Sequence, residues 1–191
     1  TKMTQSKEYV YISSNQFIYK IPKSFPVEFR YNHSYYSEYY HIVDDFIVDK
    51  NETLWVGTSF GLFYNTNSDD IKNFYNSTFT DVGNEFYSIA LDSNNTVWLS
   101  SNKGLWAIKD MKAKQVFKLL DDSLPDTIRK IVIDPFNRKL FVADTCYYRY
   151  NDTNITKYSL PQSETFNCRS INNINLTHLG NLSIATNCGL L

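Results

Sequence analysis

The sequence predicts an all-β fold, a segment of a β-propeller made of four-stranded antiparallel blades. Three observations predict it. First, a strand–turn–strand stretch, LWVGTSFGLFY at 54–64, recurs along the 191 residues. With Trp55 as its anchor, the copies fall at Tyr11, Trp98, Phe141 and Ser183, in steps of 44, 43, 43 and 42 residues. A period of about 40–45 residues holding four strand-like segments is the signature of a propeller blade. Second, the anchor strands have no polar face. Aliphatics alternate with a ring and then a small residue, as in Leu54-Trp55-Val56-Gly57 and Val97-Trp98-Leu99-Ser100. A strand apolar on both sides suits a sheet packed between two others, large groups meeting small ones. Third, the segment before each anchor repeats as well: Val43, Phe46 and Val48 before Asp49; Phe86, Ile89 and Leu91 before Asp92; Ile128, Ile131 and Ile133 before Asp134. Ile171, Ile174 and Leu176 follow suit before Thr177. This is the innermost strand of each blade, closed by a turn that the aspartate caps through its side chain.

Taken in order, residues 1–8 are a polar lead-in and 9–30 hold three strands of a partial blade, broken by Pro22 and Pro26. The tyrosine-rich connection YNHSYYSEYYH occupies 31–41. Blades follow at about 42–75, 86–119 and 128–158, and a partial blade at 170–191. That makes about three complete and two partial blades in one domain. Within the hairpin turns, Gly61, Gly104 and Gly189 supply positive φ. The copies at the two ends duplicate rather than complete one another, so the expectation is a segment of a longer ring, because open sheet edges need a partner strand.

The pattern Asp, turn, Leu-Trp-Val-Gly-Thr, two residues, Gly-Leu-Phe-Tyr resembles the propeller repeats of two-component-regulator sensor proteins. Residues 43–64 match it closely and 86–106 well; the copies near 140 and 182 are weaker, and the first weaker still. The resemblance implies ligand or partner binding on one face of the ring. It carries over no signalling residues, since the chain shows no kinase or receiver segment, and fold alone assigns no activity.

Net charge is −1, which gives no broad attraction to nucleic acid or anionic membrane. No stretch approaches the roughly 18 apolar residues of a membrane span. Eight asparagines open an Asn-x-Ser/Thr sequon: Asn32, Asn51, Asn76, Asn94, Asn151, Asn154, Asn175 and Asn181. An Asn-rich composition of the kind AT-rich genomes encode produces some of these without consequence. Position adds an argument: Asn51 and Asn94 share one register of the inner turn, and Asn32, Asn76, Asn151 and Asn181 fall in expected connections, where a glycan fits. Asn175, near a strand end, is the exception, and Asn151 and Asn154 are close neighbours. The expectation is an N-glycosylated, extracellular protein, secreted or at the cell surface.

Cysteine usage points to the same compartment. Cys146 and Cys188 read as the same turn position in consecutive blades, and Cys168 precedes the last innermost strand on the same face. A Cys146–Cys168 disulfide is therefore expected, with Cys188 paired beyond the chain end; three thiols in a reducing cytosol are the alternative.

The aspartates Asp49 and Asp92, with Asn51 and Asn94, mimic the start of a calcium loop but lack its glycine and final glutamate, so they read as turn caps. His33, His41 and His178 have no zinc spacing, and no nucleophile elbow, phosphate loop or dinucleotide motif is present. No metal, cofactor or catalytic residue is assigned. The binding candidates are Tyr31, Tyr35, Tyr36, Tyr39 and Tyr40, whose rings and hydroxyls suit a sugar, a peptide or another subunit, and equally suit cover for the gap between blades. The leading reading is a non-catalytic recognition module with a protein or carbohydrate partner. A structural subunit of a glycan-coated, self-assembling filament and a propeller lyase or hydrolase are the alternatives.

Overall fold

A computed structural model describes residues 2–14, 17–24, 34–36, 43–58, 61–66, 75–76, 79–117, 127–160, 170–176 and 181–190. They form five antiparallel sheets, each a simple meander in chain order. The first holds β1 (Met3–Gln5), β2 (Tyr9–Ser14), β3 (Phe17–Pro22) and β4 (Ser34–Tyr36). The second holds β5 (Val43–Val48), β6 (Leu54–Thr58), β7 (Gly61–Asn65) and β8 (Tyr75–Asn76). The third holds β9 (Phe86–Leu91), β10 (Val97–Ser101), β11 (Gly104–Lys109) and β12 (Lys112–Phe117). The fourth holds β13 (Lys130–Ile133), β14 (Lys139–Val142), β15 (Cys146–Tyr150) and β16 (Ile155–Ser159). The fifth has three strands, β17 (Ile171–Leu176), β18 (Leu182–Thr186) and β19 (Gly189–Leu190).

The first sheet is fuller than its sequence suggests. Met3–Gln5, expected as lead-in, pairs with β2 as an innermost strand, and Ser34–Tyr36 supplies the fourth strand from inside the expected connection. A three-residue strand such as MTQ carries too little alternation to be recognised alone.

The blades stack face to face, and their contacts are the core. Trp55 and Leu62 of the second sheet meet Phe86, Ile89, Val97 and Leu99 of the third. Trp98 and Leu105 of the third meet Ile131, Phe141 and Tyr148 of the fourth. Between the first and second sheets lie Tyr11, Ile18, Phe46, Leu54 and Val56. The small residue after each ring has a steric purpose. A Cβ at Gly57 would lie 2.8 Å from Phe86 Cβ, so only glycine lets β9 approach β6.

Each inner turn is held by its aspartate as expected, and the carboxylate does more than cap. Asp49 Oδ1 accepts from the backbone N–H groups of Asn51 (2.8 Å) and Thr53 (3.0 Å), and Oδ2 accepts from Trp55 Nε1 at 3.1 Å. Asp92 repeats this with Asn94, Thr96 and Trp98 Nε1. The turn and the anchor indole are thus one unit, seven residues from aspartate to tryptophan. Within each turn one residue takes the left-handed conformation: Glu52 (φ 61°), Asn95 (φ 60°) and Asn137 (φ 62°). Its side chain crosses to the preceding blade. Asn95 Oδ1 accepts from Lys50 N–H and Asn137 Oδ1 from Ser93 N–H, both at 2.8 Å. Asparagine satisfies both demands, tolerance of positive φ and an acceptor of the right reach.

The fourth blade corrects the expected register. Asp134 Oδ1 accepts from Phe136 and Arg138 N–H, the same two-and-four spacing as in the earlier turns. The residue six beyond Asp134 is Leu140, not Phe141. Leu140 pairs with Val132 and Arg149 as Trp98 pairs with Ala90 and Ala107. Phe141 therefore takes the place of Leu99 and faces the third blade, while Val142 faces the fifth. With no indole at hand, Asp134 Oδ2 accepts from Arg138 Nε instead. The shift also buries Lys139, 1 % exposed, at the register of Val97. Its ammonium lies 2.8 Å from Asp152 Oδ1, 3.8 Å from Asp92 Oδ2 and 5.5 Å from the Trp98 ring centre, so the buried charge is compensated three ways.

Candidate functional site

The innermost strands of all five blades line one axial cavity of about 660 Å³. Its walls carry Lys2, Asp45, Ser88, Lys130 and Asn173 among backbone and apolar groups. Asp45, Ser88 and Asn173 reach the cavity through a repeated bulge. The pairing skips Asp44 in β5, Tyr87 in β9 and Asn172 in β17, which tightens the twist and turns the next side chain toward the neighbouring blade.

The residues after the bulge tie blade to blade. Asp45 Oδ2 accepts from Ile89 N–H at 2.7 Å, and Ser88 Oγ accepts from Ile131 N–H at 3.1 Å. Lys130, at the same register, reverses the polarity and donates to Ile174 O at 3.3 Å and to Asn173 Oδ1. Asp45 also accepts from Phe46 N–H at 2.9 Å and pairs with Lys2 Nζ at 3.0 Å. The groups deepest in the cavity are thus occupied in holding the ring.

The residues next to this register are freer. Arg129 lies 5.2 Å over the Tyr87 ring, and its Nε is 3.4 Å from Asp144 Oδ1, both partners half exposed or more. Tyr87 Oη donates to Glu85 Oε2 at 3.4 Å. Tyr87, Arg129 and Asn172 are the accessible polar lining, with Glu85 bonded to Tyr87 and Asp44 close to Lys2 and Glu85. Burial pushes the Asp44 carboxyl above its ordinary value, countered in part by Lys2 and by the Phe86 N–H it accepts. Burial, then the nearby Lys2 charge, pulls the Lys130 ammonium down. Burial and Glu85 raise the Tyr87 phenol. None of these groups is evident from motif spacing. The signal that finds them is the common register of Asp45, Ser88, Lys130 and Asn173 in the repeat.

The residues singled out in the sequence fare differently. Asn51, Asn94, Asn151, Asn154 and Asn181 are exposed, on turns at the edges of the sheets. Asn76, expected in a connection, is instead in β8, and Asn175 is in β17. Asn32, Tyr31, Tyr39 and Tyr40 lie outside the described residues; Tyr35 and Tyr36 form part of β4, where the backbone pairs them with Ile18 and Phe17. Cys146 and Cys188 do not share a turn position. Thr186 Oγ1 donates to Gly189 O as Thr58 does to Gly61 O, so Cys146 stands at the glycine's position and Cys188 one residue before it. Cys146 is buried against Trp98 and Ile131, Cys188 is exposed, and Cys168 lies outside the described residues. Asp49 and Asp92 spend their oxygens on turn and indole, and no cluster of metal-ligating side chains occurs among the described residues. No helix among them is long and apolar enough to cross a membrane.

No protein-family model matches the chain, and no curated protein sequence matches it significantly. Solved structures do. The extracellular domain of a hybrid two-component system from Bacteroides thetaiotaomicron is similar over 97 % of this chain and 26 % of its own, with TM-score 0.70 and 20 % identity. Virginiamycin B lyase from Staphylococcus aureus is similar over 95 % of this chain and 61 % of its own, with TM-score 0.70 and 15 % identity. The chain therefore spans about a quarter of the sensor domain and three-fifths of the lyase. At these identities the likeness shows the fold: an all-β chain of stacked four-stranded blades, similar to the propellers of extracellular sensor domains.

Proposed function

We propose that the chain is a non-catalytic, extracellular, N-glycosylated recognition module that takes a carbohydrate or peptide at the mouth of its axial cavity. The observation that carries this reading is the repeated bulge. It brings the Tyr87 phenol and the Asn172 carboxamide to the cavity beside the Arg129 guanidinium, with Glu85 bonded to Tyr87 and Asp144 to Arg129, while the residues behind them tie blade to blade. A preformed concave site with a few convergent polar groups is the usual form of a ligand site. The likeness to extracellular sensor domains and the exposure of five sequon asparagines support the compartment.

Glycan and peptide arrays test the ligand. A hit whose affinity falls tenfold or more in both Tyr87→Ala and Arg129→Ala is expected; a hit insensitive to both removes the cavity mouth from the reading. Intact mass of the native protein before and after deglycosylation tests the compartment. Several glycans are expected, together with a Cys146–Cys168 link in the non-reduced peptide map. A mass equal to the bare polypeptide overturns the extracellular assignment.

A lyase or hydrolase is the second reading. It is favoured by Lys130, a cavity-lining ammonium that burial pulls down, and by Asp44, beside the cavity-lining Asp45, whose carboxyl burial pushes up, a pattern common at catalytic sites. Turnover of any ligand found above, lost in Asp44→Asn with binding retained, would replace the non-catalytic reading with this one.

A further inference from the structure

A second cavity, of about 220 Å³, opens between the fourth and fifth blades. It is lined by Asp134, Arg138, Leu140, Tyr147, Arg149, Tyr158 and Leu182. Its origin is the register shift. The equivalent space between the second and third blades holds the Trp55 indole against Tyr64 at 5.4 Å and Phe79 at 6.0 Å. Between the third and fourth blades it holds the Trp98 indole against Phe141 at 5.8 Å and Tyr150 at 5.7 Å. At the fourth blade the same position carries Leu140, which is shorter and has no ring. The fifth blade meets this space with aliphatic side chains, Leu182, Ile184 and Ile174, and with no ring. The fold thus keeps a place shaped for an aromatic ring and leaves it open.

The walls add chemistry. Tyr147 and Tyr158 stack as a cross-strand pair, ring centres 4.9 Å apart and planes 8° from parallel, giving one flat side. Leu140 and Leu182 give the apolar sides. Asp134 is consumed: one oxygen accepts two backbone N–H groups and the other the Arg138 guanidinium. Arg149, exposed at the edge, makes no ion pair among the described residues. Two guanidiniums against one carboxylate leave the lining with a net positive charge and a fork-shaped donor facing solvent.

We propose that this crevice is a binding site for a small planar aromatic acid, its ring in the space an indole fills elsewhere in the repeat and its carboxylate on Arg149. The ring gains contact with Leu140, Leu182 and the tyrosine wall; the carboxylate gains a charge-assisted bond that a cation or a neutral ring lacks. The site is separate from the axial cavity and does not rest on what binds there.

Indole-3-acetate is the probe, added to the whole protein at neutral pH and followed by calorimetry and ligand-observed NMR. A ligand of this size reaches a Kd of about 1 mM or below at ordinary ligand efficiencies. Tryptamine, with the same ring and the opposite charge, is expected to bind at least tenfold more weakly. Arg149→Gln, a surface change that leaves the core intact, is expected to weaken indole-3-acetate about tenfold or more. Leu140→Trp fills the crevice from within and is expected to abolish binding. Absence of binding by the wild-type protein, equal binding of tryptamine, or binding unchanged in Arg149→Gln or in a folded Leu140→Trp variant overturns the proposal.

Discussion

The interface between the third and fourth blades and the one between the fourth and fifth are built on the same backbone and end differently. In the first, the Asp92 turn holds the Trp98 indole, which packs on Phe141 and Tyr150 and lies beneath the buried Lys139 ammonium. In the second, the Asp134 turn is equally well formed, but its outer oxygen holds Arg138 and the anchor is Leu140. The result is a filled core in one case and a 220 Å³ crevice in the other. The lesson is that the turn is independent of the ring it usually grips. A carboxylate that caps a turn accepts a side-chain donor from either the indole or a guanidinium, whereas only the indole fills the gap between sheets.

Truncation separates the two interfaces most sharply. Trp98→Ala is expected to cost about 3–5 kcal/mol, since it removes a buried ring and leaves Asp92 Oδ2 without its donor. Leu140→Ala, beside a space already open, is expected to cost about 2 kcal/mol, the low end for a buried leucine. Urea unfolding of the two variants measures the difference; equal losses would mean that the crevice is no less packed than the filled interface. Leu140→Trp runs the comparison the other way. It is expected to raise stability by about 1 kcal/mol through cavity filling, seen as a higher melting temperature. A loss instead would show that Arg138 and Tyr147 do not yield the room.

Smaller changes test the ties that the interfaces share. Asn137→Gly keeps the positive φ and deletes the acceptor for Ser93 N–H, so it is expected to cost about 1 kcal/mol. Asn95→Gly, acting on Lys50 N–H, is expected to cost the same, because both latches have the same geometry. The smallest effect is electrostatic. The fold raises the Asp44 pKa above 3.8, so the stability this group contributes is full below that value and is lost as pH rises through the raised value. Asp44→Asn retains an acceptor for Phe86 N–H and has nothing to ionise. Relative to the wild type it is expected to gain stability as pH rises from below 4 through the acid range and then to level off. A difference that grows as pH falls would reverse the assigned sign.

The steps of the repeat, the inner aspartate turns and the ring-then-small alternation were legible in the residues, because local chemistry sets each of them: turn capping, positive φ and the two-residue alternation of a strand. The axial polar set was not legible. Asp45, Ser88 and Lys130 share no chemistry as residues and become one system only when their common register aims them at neighbouring blades. The sequons were legible as motifs, and the structure adds exposure at Asn51, Asn94, Asn151, Asn154 and Asn181.

From its sequence alone this chain is a row of doubly buried antiparallel blades, since the strands are apolar on both faces and recur at blade length. Those same strands conceal their phase. A one-residue slip in a strand with a polar face moves polar groups into the core and betrays itself; in Leu140-Phe141-Val142 it exchanges one apolar face for another. Packing resolved what alternation left open, since only the six-residue reach from Asp134 and the fit of Phe141 against Trp98 distinguish the two phases. The crevice, the buried Lys139 and the placing of Cys146 in the glycine's turn position all follow from that one choice.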